Sequence, residues 1–115
     1  MSHTALHVAH VAAIGPALIY VGAQHDSLPE GAYTALLMTG VFILFYHAYK
    51  AWLKLKNNQS AWVNWIHVFL VAPLLILVGY YKNDAARRYF EMIMLLGFAA
   101  VGYHGYYLIR DSMLA

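Results

Sequence analysis

The chain has 115 residues, of which 63% are hydrophobic and only 10% charged, with a formal charge of +2 and no cysteine. A soluble domain carries roughly a quarter charged residues and cannot bury this much apolar surface at this length, so water is excluded as the expected solvent. The small, scattered charge gives no footing for nucleic acid, and the missing cysteines exclude disulfides, thiolate metal sites and a covalent c-type haem.

A bilayer core takes about 20 mostly apolar residues per helix. Four segments meet that requirement, roughly 4–24, 31–53, 60–81 and 88–109. The expected fold is therefore an all-α membrane protein, a bundle of four transmembrane helices forming one integral domain over 1–115. The N-terminus lacks Lys or Arg before its first apolar run, so no cleavable signal peptide is expected.

The first span opens with His3, His7 and His10 at helical spacing, a polar stripe leading in from one membrane face. "QHDSLPE" connects it to the second span, which ends on "LFYHAYKAW" around His47. "KLKNNQ" leads into the third, where Ser60, Asn64 and His67 repeat the spacing of the first stripe. "KNDAAR" precedes the fourth, which carries "VGYHGYYLI" around His104. Connections this short make consecutive helices antiparallel neighbours. Trp52, Trp62 and Trp65 fall near the middle-loop membrane face, as interfacial anchors do. Lys50, Lys54, Lys56 and Arg110 lie on the side of the termini, against Lys82, Arg87 and Arg88 on the other. That four-to-three majority points both termini towards the cytoplasm.

Sliding the sequence on itself by 57 residues brings "HVAAIGPALIYVG" (10–22) onto "HVFLVAPLLILVG" (67–79) without a gap. His10 meets His67, Pro16 meets Pro73, Gly22 meets Gly79, Gly40 meets Gly97 and His47 meets His104 at the same offset. Self-similarity at a fixed offset is the mark of a repeat. The expected units are two tandem helical hairpins, about 3–58 and 60–115, of the same orientation. Such units are related by a pseudo-two-fold axis along the membrane normal. His10 then lies roughly 9 Å into its span at 1.5 Å per residue, and His47, His67 and His104 share that level.

Three chemistries fit a pseudo-symmetric histidine layer. In the first, His10, His47, His67 and His104 ligate a transition-metal ion, or a symmetric pair of them (His10 with His67, or His47 with His104) holds haem b axially. Tyr46, Tyr49, Tyr103 and Tyr106 are then the candidate outer donors, and small residues such as Gly40, Gly97, Gly102 and Gly105 would clear room for a macrocycle. In the second, the rings titrate near neutral pH and conduct protons or cations, fed by the stripe through His7 and Asn64. In the third, the imidazoles only hydrogen-bond tyrosines, carbonyls or one another and glue the helices. Continuing the His10 face at α-helical spacing gives Ala13, Ala17, Tyr20 and Gln24, and the His67 face gives Leu70, Leu74, Leu77 and Tyr81. That interior is almost wholly apolar, so the pattern favours a one-sided site over a through-pore.

No nucleophile with its base, phosphate loop or carboxylate pair is visible, so neither hydrolysis nor group transfer is expected. A redox role follows only from bound haem or metal. The expected partners are the lipid bilayer and further copies of the chain.

Overall fold

A computed structural model describes residues 3–114. Apart from short connections the described residues are helical, with no strand among them. Four helices are long and apolar enough to cross a membrane: α1 (His3–Gln24), α2 (Glu30–Lys56), α3 (Trp62–Asp84) and α4 (Arg87–Leu114). Outward side chains such as Phe45 (70% exposed) and Phe69 (73% exposed) are apolar where a soluble helix would be charged. Lipid tails are the solvent that such a surface suits.

Close packing divides the helices into two compact units, α1 with α4 and α2 with α3. The second pairs consecutive helices, as a short connection requires; the first joins the two ends of the chain.

In the α1–α4 unit the helices run antiparallel and touch through glycine. A Cβ on Gly97 would stand 2.7 Å from the Gly15 carbonyl oxygen and 2.8 Å from the Ile19 nitrogen. A Cβ on Gly15 would in turn meet the Gly97 carbonyl at 3.1 Å. Further along, Gly22 packs on the backbone of Phe90 and Met94.

The α2–α3 unit is built on the corresponding positions. A Cβ on Gly40 would stand 3.0 Å from the Ile76 nitrogen and 3.1 Å from the Ala72 oxygen. One on Gly79 would meet the Leu37 nitrogen at 2.5 Å. Helices in lipid lack a hydrophobic drive to associate, and close backbone approach of this kind supplies dispersion in its place. Beyond this contact the exposed Lys82 ammonium pairs with the Glu30 carboxylate, a link of small energetic weight.

Each prolyl helix also carries a wide turn. In α1 residues His10–Ile14 are π-helical, and the Gly15 N–H reaches back to the His10 carbonyl. In α3 the same holds for His67–Val71, with the Ala72 N–H bonded to the His67 carbonyl. Pro16 and Pro73 follow within two residues of these turns. A proline has no N–H to give and its ring crowds the carbonyl four residues back, so the turn before it opens.

One extra residue in a turn resets the facing of the preceding segment by about 100°. The α-helical extrapolation from His10 therefore fails: Ala13, Ala17, Tyr20 and Gln24 are all exposed. The face that His7 and His10 share continues instead through Gly15 and Gly22. In α3, likewise, Leu70 and Tyr81 are exposed while Ala72 and Gly79 are buried, although Leu74 is buried too.

The helix ends repeat one more feature. α1 closes at His25 with φ of 31°, and α3 turns at Lys82 with φ of 56°; both N–H groups bond the carbonyl four residues back.

The glycine contacts give a direct test. Gly79→Ala should destabilise the protein by about 1–3 kcal/mol, because its Cβ meets backbone that cannot turn aside. Gly102→Ala, whose Cβ meets nothing within 4 Å, should be neutral or stabilising by up to about 1 kcal/mol. Unfolding midpoints in detergent micelles compare the two, and equal effects would refute the contact.

Candidate functional site: two histidine pairs

The residues singled out by sequence fall into both units. In α1–α4, the His10 ring stacks on His104 with centroids 4.0 Å apart and planes at 26°. In α2–α3, His67 stacks on His47 at 4.1 Å and 12°. The four imidazoles thus stand as two stacked pairs, each made by one prolyl helix and its unit partner.

Both prolyl-helix histidines are anchored the same way. His10 Nδ1 lies 2.8 Å from the Leu6 carbonyl oxygen, and His67 Nδ1 lies 2.7 Å from that of Val63. A carbonyl only accepts, so each Nδ1 must carry the proton. In the neutral ring Nε2 is then the nitrogen with the lone pair. Ligating histidines commonly take this form, the other ring nitrogen being tied to a carbonyl or carboxylate.

The partner histidines are held through Nδ1 as well, by side chains. His104 Nδ1 lies 2.8 Å from His7 Nδ1, and His47 Nδ1 lies 2.9 Å from the Asn64 amide nitrogen. His7, Asn64 and His104 are 8%, 5% and 7% exposed, so these are interior bonds. Sequence placed His7 and Asn64 on a stripe leading in from the surface; they stand in the site itself. Ser60, the first member of the α3 stripe, lies in the connection before α3 and is exposed. The signal for His7 and Asn64 lay in the 57-residue offset, which puts them in register three residues before His10 and His67.

The tyrosines divide. Tyr46 and Tyr103 set their rings edge-on to the neighbouring His47 and His104, at 5.2 and 5.1 Å. Tyr49 and Tyr106 are 58% and 60% exposed, with rings against Trp52 and Tyr107. Tyr107, which sequence did not single out, stacks on His7 at 6.0 Å. Of the small residues expected to clear room for a macrocycle, Gly40 and Gly97 are filled by helix contact, whereas Gly102 faces open space.

Among the described residues, no group of three or more His, Cys, Asp or Glu side chains is disposed to hold a metal ion. Asn64 Oδ1 is buried and has no hydrogen-bond partner among those residues.

The chain matches no protein-family model, and no curated protein or solved structure is significantly similar to it.

The His7–His104 bond should register in a double-mutant cycle. His7→Ala and His104→Ala, singly and together, should give a coupling of about 1 kcal/mol in detergent unfolding, the range of buried polar pairs in membranes. Additive effects would mean that the two rings do not bond.

Proposed function

We propose that this chain is an integral membrane protein of two tandem hairpin repeats whose histidine pairs ligate a transition-metal ion or haem. The observation that carries the reading is the pair of Nδ1 anchors. His10 and His67 each give the Nδ1 proton to a carbonyl one turn back, which makes Nε2 the basic nitrogen. Neutral imidazole of that form suits zinc, copper, iron and nickel. Bound haem would make electron transfer the natural role; a bare ion would make it sensing or transport.

Four features support the tandem repeat, each recurring at an offset of 57. They are the π segments at His10 and His67, the positive φ angles at His25 and Lys82, the Gly97 and Gly40 contacts, and the stacked rings of His104 and His47. In this reading each compact unit takes one helix from each repeat. The majority of Lys and Arg on the terminal side supports both termini facing the cytoplasm.

A second reading is proton handling. It is favoured by the direct imidazole-to-imidazole bond between His7 and His104, through which a proton can pass when one ring is charged.

Metal and haem content of detergent-purified protein, beside a His10→Ala/His67→Ala variant, separates these. Near-stoichiometric iron, copper or zinc in the wild type, lost from a folded variant, is the expected result. An optical spectrum then distinguishes haem from a bare ion. Negligible metal in both, even after reconstitution, overturns ligation; proton flux in liposomes would then decide between relay and architecture.

A further inference from the structure

The hydrogen bonds at Nδ1 of the stacked imidazoles respond differently to an added proton. His10 and His67 donate to the carbonyls of Leu6 and Val63. A charged ring still carries a proton on Nδ1, so both bonds survive protonation. His47 meets the Asn64 amide, which has a donor at one end and an acceptor at the other. When His47 is charged, its Nδ1–H needs an acceptor. Asn64 Oδ1, buried with no hydrogen-bond partner among the described residues, supplies one once the amide turns over. That link survives as well.

The bond between His7 and His104 is the exception. Its two Nδ1 atoms face each other at 2.8 Å, and a bond between like nitrogens needs one proton between them. With both rings neutral, one Nδ1 donates and the other accepts. One added proton keeps the bond, because the charged ring donates to the lone pair of the neutral one. A second added proton puts an N–H on both facing atoms, so no acceptor remains between them and two like charges stand in contact. His7 and His104 are 8% and 7% exposed, and solvent ions screen buried charges little.

The titratable groups whose rings lie against this pair include His3 and His10 on α1 and Tyr103 and Tyr107 on α4. His3 is exposed, and the His10 Nδ1 is committed to the Leu6 carbonyl. Arg110 lies over Tyr107 and pairs with Asp111 near the exposed end of α4. His25, Arg87, Arg88 and Glu91 stand at the opposite ends of the two helices.

We infer that the His7–His104 bridge is a proton-operated clasp between α1 and α4: it stays closed with none or one added proton and opens when both imidazoles are charged, while the Asn64–His47 bridge between α2 and α3 stays closed throughout. α1 begins four residues before His7, about 6 Å along its axis, so protons reach the clasp from the membrane face that bears the chain ends. Parted and charged, the rings reach water by the same short path. Deeper in, Gly15 and Gly97 hold the two helices in backbone contact, which confines the opening to the chain-end portion. The unit thereby senses acidity on one side of the membrane. Neither metal nor haem takes part, so the clasp is independent of the ligation proposed above.

Nitrogen-15 labelling of the histidines reads the bridge directly, since a proton held between two nitrogens couples their nuclear spins. In the wild type the Nδ1 nuclei of His7 and His104 should couple at about pH 8 and through uptake of the first proton. The coupling should be lost at the second, as pH falls through the imidazole range to about 5 and below. The chain has no cysteine of its own, so nitroxide labels can be placed singly. Labels on Val8→Cys and Ile109→Cys, both exposed, should move apart at that second step, whereas labels on Leu55→Cys and Ile66→Cys in the α2–α3 unit should not. His7→Asn, which installs the amide used in the other unit, should keep α1 and α4 closed across the same range. Absence of coupling at about pH 8 overturns the inference, as does coupling that persists until the chain unfolds. So does parting of the α2–α3 labels at the same step, or parting of α1 from α4 in His7→Asn at the wild-type pH. Should His7→Asn fail to fold, the wild-type coupling and the two label pairs still decide.

Discussion

A polar group buried between helices long and apolar enough to cross a membrane has no water to bond, and the hydrogen bonds of the histidine sites answer that constraint. A ring nitrogen on a membrane helix must find its partner on its own helix or on the one packed against it. His10 and His67 find theirs one turn back, on the carbonyls of Leu6 and Val63. His47 and His104 find theirs across the helix contact, on Asn64 and His7. Each such bond contributes modestly to stability, while its absence costs the full desolvation of the group. Satisfaction of the rings therefore fixes their geometry more than it strengthens the fold.

That geometry depends on two backbone devices acting at different depths. Glycine at 15, 22, 40, 79 and 97 lets the helices of each unit approach to backbone contact, which sets the separation across which the imidazoles stack. The π turns at His10–Ile14 and His67–Val71 then set the rotation. Without the extra residue, a regular helix holding Gly15 against Gly97 would carry His7 and His10 round by about 100°, away from His104. Proline opens the turn and the histidine at its start closes back onto the preceding carbonyl. The same short segment thus aims the ring and fixes its proton.

Much of this was legible in the sequence, for physical reasons that differ by level. The spans were plain because hydrocarbon thickness imposes a length on apolar runs: the expected 31–53 and 88–109 lie inside helices Glu30–Lys56 and Lys-free, Arg87-initiated Arg87–Leu114. The helices overrun these limits because polar ends such as Lys54, Lys56 and Arg110 continue the helix beyond the apolar stretch, with Lys56 and Arg110 lying over the rings of Trp52 and Tyr107. The facing of the histidines was not legible, because extrapolation at 3.6 residues per turn ran straight through the π segments. Pro16 and Pro73 were the available signal, but they entered only as matched positions at the 57-residue offset. Nor was the association of α1 with α4, since short connections speak only for consecutive helices and the chain ends carry no such mark.

The offset of 57 residues also exposes where the halves differ, and those differences carry the chemical argument. A site made only for packing needs no distinction between His7 and Asn64, since either fills the space and offers a hydrogen bond. The two are unequal in one respect: imidazole can gain or pass on a proton and an amide cannot. Tyr107, stacked on His7 in the α1–α4 unit, is answered in the other half by Lys50. The close contacts of Gly40 and Gly97 and the π turns recur at this offset, whereas His7 and Asn64, which bond the stacked rings, differ. Two units of one architecture thereby hold their histidines in different proton environments, a division that mechanical packing does not require and that ligand or proton chemistry can use.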